Sequence, residues 1–470
     1  MSTKNILSAT KSQWIKFSIV ALLYLLFVIW YQNFWLLFGL LLFFDIYISK
    51  IVPWDGWKNS KNPFLRTIAD WADAIIFALV AVYFINIFIF QNYKIPTPSL
   101  EKTLLVGDYL CVSKVNYGPR VPNTPLAFPL THHTLPIFNT QSYSNWPHWD
   151  YRRLKGFESV KRDDIVVFNF PAGDTVSFNY QSMDYYDLVN QVGWDRVNHD
   201  KRTFGNIIYR PVDRRENYVK RCIGLPDDSL LIVNNQVYIN GKELPMPKKV
   251  QFNYYVETTG NFFTEKQFRK LGVSRDDQRL LNREANATPL FNFLGIEENE
   301  TGNYNPVYIL PLTQEAVTFL QNSKWAKSIQ IQSDAFGGET YPYGYHTDWT
   351  RDNFGPIWIP KKGETIALDE HNLALYERCI VNYEGNTLRK DGANIYINGA
   401  PANCYTFKFD YYFMMGDNRH NSLDSRYWGF VPEDHVVGKP LLVWLSIDKD
   451  RSWLDGKIRW NRIFTRVSAK

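Results

Sequence analysis

Three stretches of the sequence concentrate residue types that can cleave an acyl bond. Residues 95–114 contain Ser99, residues 218–228 contain Lys220, and residues 415–432 read MGDNRHNSLDSRYWGFVP. A serine hydroxyl is a poor nucleophile until a base removes its proton, and histidine is the common base. None of the eight histidines stands in a local context typical of a hydrolase. A lysine can serve instead when burial keeps it uncharged, which directs attention to Lys220.

The local sequence around Lys220 suits an uncharged amine. In a strand, its side chain shares a face with Tyr218 and Cys222, whereas the cation Arg221 points to the opposite face. Lowering the pKa of a lysine from about 10.4 to about 8 costs roughly 3 kcal/mol, which a folded domain can bear. A lone lysine is nevertheless most often a surface residue, so this interpretation depends on the other two stretches.

In this order, and after the apolar run at residues 74–90, the three stretches resemble type I signal peptidase. This family, the leader peptidase of bacteria, consists of serine endopeptidases that use a Ser/Lys pair. The third stretch is the most specific, and residues 162–168 connect the first two. The resemblance implies that Ser99 is the nucleophile and Lys220 the general base. It implies an oxyanion hole formed by Thr97 and the backbone N–H of Ser99. It also implies that Ser422 orients the lysine.

Supporting residues follow from the same resemblance. Asp424 and Arg426 correspond to a structural ion pair behind the site, and Asp417 to a supporting carboxylate. The alternative for Asp424 and Arg426 is a surface ion pair worth under about 1 kcal/mol.

Three residues depart from the pattern of this family. Pro98 stands where glycine is common, Lys102 where proline is usual, and His420 where aspartate is common. Proline fixes φ near −65° and has no N–H. We therefore expect the loop around Ser99 to be built differently from that of the family, with the oxyanion hole most affected.

The N-terminal region is apolar enough to enter a membrane. Residues 17–49 contain one charged side chain, Asp45. A single helix of that length would measure about 50 Å, against a hydrocarbon core of about 30 Å. Because Gln32 and Asn33 interrupt the run, we predict a hairpin of two short spans, 15–31 and 34–49. One long tilted helix and a cleavable signal peptide are the alternatives, although no small-x-small site follows.

A third span is predicted at residues 74–90, and the cations indicate its direction. Cations flank both ends of the hairpin, whereas its tip has none nearby; they are Lys4, Lys11, Lys16, Lys50, Lys58, Lys61 and Arg66. Positive charge favours the cytoplasmic side. The predicted location is thus the cytoplasmic (inner) membrane, multi-pass, with everything after Phe90 on the outer, periplasmic side. A single N-terminal helix would instead place the large domain in the cytoplasm.

The part after the spans is predicted to be mainly β: an antiparallel β-sheet periplasmic catalytic domain with large insertions, anchored by the N-terminal transmembrane helices. Four parts are predicted: residues 1–73, residues 74–90, residues 91–448 with an insertion at about 243–360, and residues 449–470. The last part is a basic amphipathic segment that either lies on lipid headgroups or packs against the domain as an ordinary terminal segment. Short helices are expected at residues 264–271 and 313–322. The predicted strands cover residues 108–115, 164–170, 218–223, 230–239, 394–397, 411–415 and 440–446.

Composition excludes several classes of protein. Apolar residues make up 45% of the chain and charged residues 21%, which excludes a disordered chain. A net charge of +5 is too mild to favour nucleic acid as a partner. The four cysteines form no C-x-x-C pair, although Cys379 and Cys404 could pair in an oxidising periplasm. No metal-ligating constellation or nucleotide loop is visible, so neither a metal nor a cofactor is expected.

The resemblance implies a membrane-bound endopeptidase that removes signal peptides from exported preproteins after a small-x-small motif. The implied partners are these signal peptides, the phospholipid membrane and, functionally, the secretion machinery. A non-catalytic preprotein-binding or assembly factor of the same fold is the alternative, and a serine hydrolase that uses one of the histidines is a third. The role of the insertion stays open between a lid or brace without chemistry and a second active site, and the lid or brace is favoured.

Overall fold

We analysed a computed structural model of the chain. The structure describes residues 9–54, 56, 62–138, 140–181, 183–285, 287–300, 302–345, 348–392 and 394–467. Three of the cations used to predict orientation, Lys4, Lys58 and Lys61, lie outside these ranges.

The apolar N-terminal run folds back on itself. Helix α1 spans Lys11–Tyr31 and ends where Gln32 adopts the left-handed conformation with φ of 54°. The returning arm, Phe34–Ser49, contains a 3-10 turn, helix α2 (Gly39–Phe44) and a π-helical turn. The Tyr24 hydroxyl donates to the Leu36 carbonyl oxygen at 2.7 Å. Two antiparallel arms are therefore present rather than one continuous helix.

Helix α3 spans Pro63–Phe88 and starts before the predicted third span, 74–90. The Asn62 side chain caps its N-terminus, and proline occupies its first position. The predicted span begins later than the helix because hydropathy marks only the apolar part of a helix, whereas the first turns of α3 carry Arg66, Asp70 and Asp73. By length and composition, α1 and α3 can both cross a membrane.

The remaining secondary structure is mostly strand. The other helices are α4 (Tyr185–Val192), α5 (Trp194–His199), α6 (Lys201–Phe204), α7 (Glu265–Leu271), α8 (Ala287–Phe293), α9 (Gln314–Asn322), α10 (Glu370–Arg378) and α11 (Ser425–Trp428). The strands are β1 (Phe90–Lys94), β2 (Asp108–Ser113), β3 (Ile165–Asn169), β4 (Thr175–Ser177), β5 (Ile207–Tyr209), β6 (Asn217–Gly224), β7 (Ser229–Val233), β8 (Gln236–Ile239), β9 (Lys242–Glu243), β10 (Gln251–Thr258), β11 (Arg279–Leu280), β12 (Val307–Thr313), β13 (Ala326–Ile331), β14 (Phe354–Trp358), β15 (Thr365–Ala367), β16 (Leu388–Asp391), β17 (Asn394–Ile397), β18 (Ala400–Pro401), β19 (Cys404–Thr406), β20 (Tyr411–Met415), β21 (Val431–Pro432), β22 (Val436–Ser446) and β23 (Thr465–Arg466).

One antiparallel sheet, with the order β1-β2-β22-β3-β6-β20-β21, brings together distant parts of the chain. Its faces carry two apolar clusters, one around Phe168 and Trp428 and the other around Leu110 and Val167. The expected mainly β architecture, anchored by N-terminal apolar helices, is confirmed. The predicted strand at 230–239 is wrong, because the chain turns at Asn234 and Asn235 and forms the hairpin β7–β8.

The insertion contains a sheet that the sequence analysis did not predict. Strands β11, β12, β10 and β13 pair in that order, and α7 and α9 pack on them. Long-range pairing between β10 and β12 builds this sheet. The polar composition of the insertion gives no local signal for such pairing, so the sequence does not predict it. Polar residues that suggest a loop therefore lie on a folded subdomain.

The C-terminal parts of α1 and α3 contact the β domain at the segment 116–157. Tyr31 packs with Val121 and Leu154, and the Trp30 indole N–H donates to the Lys155 carbonyl oxygen at 3.0 Å. The Tyr83 hydroxyl of α3 donates to the Pro125 carbonyl oxygen at 2.6 Å. The tip of the hairpin and the C-terminal end of α3 consequently lie at the same side of the molecule as the β domain.

The C-terminal segment forms turns and a short strand. Arg462 pairs with the buried carboxylate of Asp108 at 2.5 Å, so this cation serves the fold. Trp453, Leu454 and Trp460 are exposed. Whether these side chains contact lipid stays a prediction.

Candidate active site

Ser99 sits in a short 3-10 turn, Pro98–Leu100, that follows β1. Pro98 occupies the first position of the turn, where a missing N–H costs nothing and a φ near −65° is favourable. The turn therefore accommodates the proline without a residue of positive φ. Leu100 is buried in the same apolar cluster as Val219, which anchors the turn next to strand β6.

The turn that follows β20 holds the Ser99 turn in place. The backbone N–H of Asn418 donates to the Ser99 carbonyl oxygen at 3.0 Å. The Asn418 side-chain amide donates to the Pro98 carbonyl oxygen at 3.3 Å. Two hydrogen bonds from one residue thus fix the carbonyl groups on both sides of the Ser99 α-carbon.

Gly416 lies between the Ser99 turn and Ser422. A β-carbon at this position would be 2.2 Å from the Ser422 Oγ and 2.6 Å from the Ser99 carbonyl oxygen. Both distances are far inside van der Waals contact, so only glycine lets the two segments approach this closely. Since Met415 pairs with Arg221, Gly416 is also next to the strand that carries Lys220.

Lys220 is buried in the middle of β6, and only 4% of its surface is exposed. It pairs with Val166 of β3 across the sheet. Burial lowers the pKa of Lys220 from 10.5 to about 8, and the Arg426 charge adds to this effect, whereas Asp424 and Asp417 raise the pKa. A substantial fraction of this amine is therefore uncharged near neutral and mildly alkaline pH.

The structure places the turn of Ser99 against the strand of Lys220. Among the described residues, neither the Ser99 hydroxyl nor the Lys220 amine has a side-chain hydrogen-bond partner, and the buried Ser422 Oγ has none either. Buried polar groups usually have partners. The unpartnered Ser422 hydroxyl, which lies with the Ser99 turn beside Gly416, is therefore a candidate member of a reactive site.

Asp424 and Arg426 form a buried, bidentate ion pair. The Arg426 Nε and Nη2 donate to the Asp424 carboxylate at 2.9 Å each, and the Gly416 N–H donates to it at 3.0 Å. Burial alone would raise the pKa of Asp424, but Arg426 holds it below its usual range. The carboxylate thus links the ion pair to the glycine beside Ser99.

Replacing Asp424 by asparagine is expected to lower the free energy of unfolding by about 3–5 kcal/mol. The change leaves the Arg426 guanidinium buried without its counter-charge. Thermal or urea unfolding of the purified protein measures this loss. The matched control is Glu284→Gln, because Glu284 pairs with Arg279 at the surface and such pairs contribute under about 1 kcal/mol. Equal stability of the two variants would show that the buried pair has no structural role.

Asp417 supports the other face of β6. Its carboxylate accepts from Arg221 at 2.7 and 2.8 Å and from the Thr103 hydroxyl at 2.6 Å. Arg221 points away from Lys220, as strand alternation predicts, and its charge is neutralised there. Asp417 therefore joins the segment after Ser99 to the strand of Lys220.

Thr97 is exposed, and its side chain makes no capping hydrogen bond to the turn. Its expected place in the oxyanion hole stays a prediction. Among the described residues, no histidine hydrogen-bonds to a serine hydroxyl. The ring of His420 contacts Asp352 and the Asn253 N–H, and that of His435 contacts Asp434. His346 lies outside the described residues.

The insertion packs directly on the turn that follows β20, a contact that the sequence does not predict. The Gln251 N–H of β10 donates to the Asp417 carbonyl oxygen at 2.8 Å. The side-chain amides of Asn253 and Asn421 bond reciprocally at 3.1 and 2.8 Å. The Lys102 amine donates to the Gly272 carbonyl oxygen, so this departure from the family pattern contacts the insertion.

Comparison with known proteins identifies the family. The model of the family described as "Signal peptidase, peptidase S26" matches residues 68–286 and 359–445, which is more than half of the chain. The chain belongs to this signal peptidase family. It is therefore a peptidase of signal-peptide processing and is anchored in a membrane. Residues 287–358, which include β12 and β13, fall outside the family match.

Signal peptidases of several bacteria resemble the chain over most of its length. Signal peptidase I of Buchnera aphidicola subsp. Acyrthosiphon pisum is 24% identical over 411 residues, 86% of this chain and 83% of the relative. Signal peptidase I of Helicobacter pylori strain 26695 is 23% identical over 419 residues, 86% of this chain and 95% of the relative. A short region is more similar: Signal peptidase I of Aquifex aeolicus is 58% identical over 36 residues, 8% of this chain and 14% of the relative.

The four cysteines of this signal peptidase family member are free thiols in the structure. Cys379 is buried whereas Cys404 is exposed. Burial raises the pKa of the Cys379 and Cys222 thiols well above the usual value, which lowers their reactivity as nucleophiles.

Proposed function

We propose that the chain removes signal peptides from exported preproteins by cleaving after a small-x-small motif with Ser99 and Lys220. The observation that carries this proposal is the buried Lys220, whose pKa is lowered to about 8, on a strand against which the Ser99 turn packs. Function in association with the secretion machinery follows from this class of substrate.

In the proposed reaction, one proton passes from the Ser99 hydroxyl to the Lys220 amine and then to the leaving amine. Lys220 takes the proton of the Ser99 hydroxyl while the oxygen attacks the scissile carbonyl, and the Thr97 hydroxyl and Ser99 N–H stabilise the oxyanion. The Lys220 ammonium then gives the proton to the leaving amine, and water hydrolyses the acyl-enzyme by the same route. Ser422 accepts a hydrogen bond from the ammonium and holds it toward Ser99.

Two strand edges near Ser99 support binding of an extended peptide. β1 is the edge strand of the large sheet. β20 pairs only with the second half of β6, so Asn217–Lys220 has a strand, β3, on one side only. A preprotein segment can add to such edges through backbone hydrogen bonds. β3 is paired on both sides and buried, so we assign edge pairing to β1 and β6.

A direct test uses purified full-length protein and a preprotein whose signal peptide ends in Ala-x-Ala. We expect cleavage immediately after the second alanine, established by the mass of the released mature protein. Changing that alanine to phenylalanine in the substrate should abolish cleavage. Stable binding of the preprotein without cleavage would instead favour the non-catalytic binding factor.

The activity is expected to rise with pH through about 8. Below that pH Lys220 is charged and cannot accept a proton, whereas above it the uncharged base predominates. In kcat/KM, the acidic limb should fall about tenfold for each pH unit below the pKa. A flat profile between pH 6 and 9 would contradict Lys220 as the base.

The contacts of the hairpin also support the proposed topology. Its tip and the end of α3 both touch the segment 116–157, which supports spans that alternate in direction. Because Lys11, Lys16, Lys50 and Arg66 favour the cytoplasmic side for the other ends of the spans, we propose that the β domain lies outside the cytoplasm. A reporter active only in the periplasm and fused after Lys470 is expected to be active. A fusion in the loop between Ser49 and Asn62 is expected to be inactive, and the reverse pattern would overturn the topology.

A further inference from the structure

A polar cavity of about 480 Å³ lies where α3 meets the β domain. Its walls come from the last turns of α3, from β1, from the ends of β2 and β3 and from the segment 116–157. The catalytic groups proposed above are not among these side chains, although β1 and Asn217 belong both to the cavity wall and to the proposed peptide-binding edges. The cavity lies at the end of an apolar helix and is thus at the level of a membrane surface.

Cations outnumber acids in this cavity. Lys114, Arg120 and Arg214 line it together with a single carboxylate, that of Asp213. His132 also lines it, but burial lowers the pKa of this ring to about 4, so it is neutral. The cavity therefore carries an excess of positive charge.

Lys114 is the cation that other parts of the protein leave available. Arg120 donates to the Asn169 side chain at 2.8 Å, and Arg214 donates to Thr124 at 2.8 Å. Among the described residues, the Lys114 amine has no hydrogen-bond partner. Burial lowers its pKa to about 7, and the charge of Arg120 adds to this, so an anion beside Lys114 would relieve a repulsion.

An apolar groove of about 700 Å³ continues from this cavity along α3. The two share Tyr83, Ala127 and Phe128 as walls. Leu79 and Phe84 of the helix form one side of the groove, and 116–157 forms the other. An aliphatic chain beside a membrane-crossing helix fits the groove, while a negatively charged group fits the cavity.

We propose that the cavity and groove together bind one anionic phospholipid, with its phosphate at Lys114 and an acyl chain along α3. Charge complementarity favours this occupant, because a zwitterionic headgroup brings a cation of its own into a cavity lined by Arg120, Arg214 and the partly charged Lys114. The proposal rests on the membrane placement of α3 described above but not on the Ser/Lys chemistry. Lipid binding can therefore fail while cleavage persists, and cleavage can fail while lipid binding persists.

The test is equilibrium binding of short-chain fluorescent phosphatidylglycerol to the full-length protein in a neutral detergent. Lys114→Met is expected to weaken binding about fivefold, the effect of one basic group near an anionic surface. Lys114→Arg keeps the charge and should bind like the wild type. Lys242→Met removes an exposed cation on β9 and serves as the matched control. Ala127→Phe narrows the wall shared by cavity and groove and should also weaken binding.

Two further probes distinguish the occupants. Phosphatidylcholine is expected to bind more weakly than phosphatidylglycerol, and inorganic phosphate is expected not to displace the lipid at millimolar concentration. Equal binding of the two lipids, or unchanged binding in Lys114→Met, would overturn the proposal. Displacement by phosphate alone would assign the cavity to a free anion. A higher KM for preprotein in Lys114→Met without any change in lipid binding would assign it to the substrate.

Discussion

Replacing Lys220 by methionine is expected to lower kcat/KM for preprotein cleavage by about 10⁴- to 10⁶-fold. Methionine has a similar length and suits the buried position, but it cannot accept the proton of Ser99. Ser99→Ala should have an effect of the same size. Because the two groups act as one unit, the double variant should lose little more than either single variant.

The controls for this prediction separate chemistry from folding. Lys242→Met changes an exposed lysine and should leave cleavage within about twofold of the wild type, since surface changes are usually small in effect. Lys220→Met should still bind preprotein and should unfold at a temperature no lower than the wild type, because it buries no charge. Retained cleavage in Lys220→Met would exclude this lysine as the general base.

Gly416→Ala is expected to lower kcat by at least about 100-fold. The added β-carbon would lie 2.2 Å from the Ser422 Oγ and 2.6 Å from the Ser99 carbonyl oxygen, so one of the two segments must move. A displacement of about 1 Å at a catalytic group can cost that much in rate. The overpacked turn should also lose about 1–3 kcal/mol of unfolding free energy.

Gly173→Ala is the matched control for this substitution. Gly173 is buried and has no positive φ, and its nearest neighbours would lie at ordinary contact distances of 3.4 Å from a new β-carbon. It should keep near wild-type activity. If Gly416→Ala were as active as Gly173→Ala, the close approach of Ser99 and Ser422 would not matter for the reaction.

Local signals in the sequence account for much of the fold. Strands β17 and β20 begin and end where their β-branched and aromatic runs predict. Helices α7 and α9 match the short helices predicted at residues 264–271 and 313–322, and the structure shows Thr264 and Thr313 as their N-caps. The turn at Asn234 and Asn235 escaped prediction because it contains no glycine, although asparagine tolerates the left-handed conformation.

The candidate site also contains residues that the sequence indicates and residues whose roles only the packing reveals. The sequence indicates Ser99, Lys220 and Ser422 through the resemblance of three stretches to the family, and the roles of these residues stay predictions. The roles of Gly416 and Asn418 depend on how closely two distant segments approach, which no local pattern encodes. The contact between the insertion and the active-site turn is likewise a product of long-range strand pairing. Packing therefore supplies what the sequence pattern leaves open.

The measurement that tests the central claim most directly is the ionisation of Lys220 itself. In protein with isotope-labelled lysine, the ε-amine resonance assigned by comparison with Lys220→Met can be followed by NMR from pH 5 to 11. Our account predicts a midpoint at about 8, well below the 10.5 of an ordinary lysine. A midpoint near 10.5 would mean that Lys220 stays charged at the pH of the reaction, and it would contradict the proposed activation of Ser99.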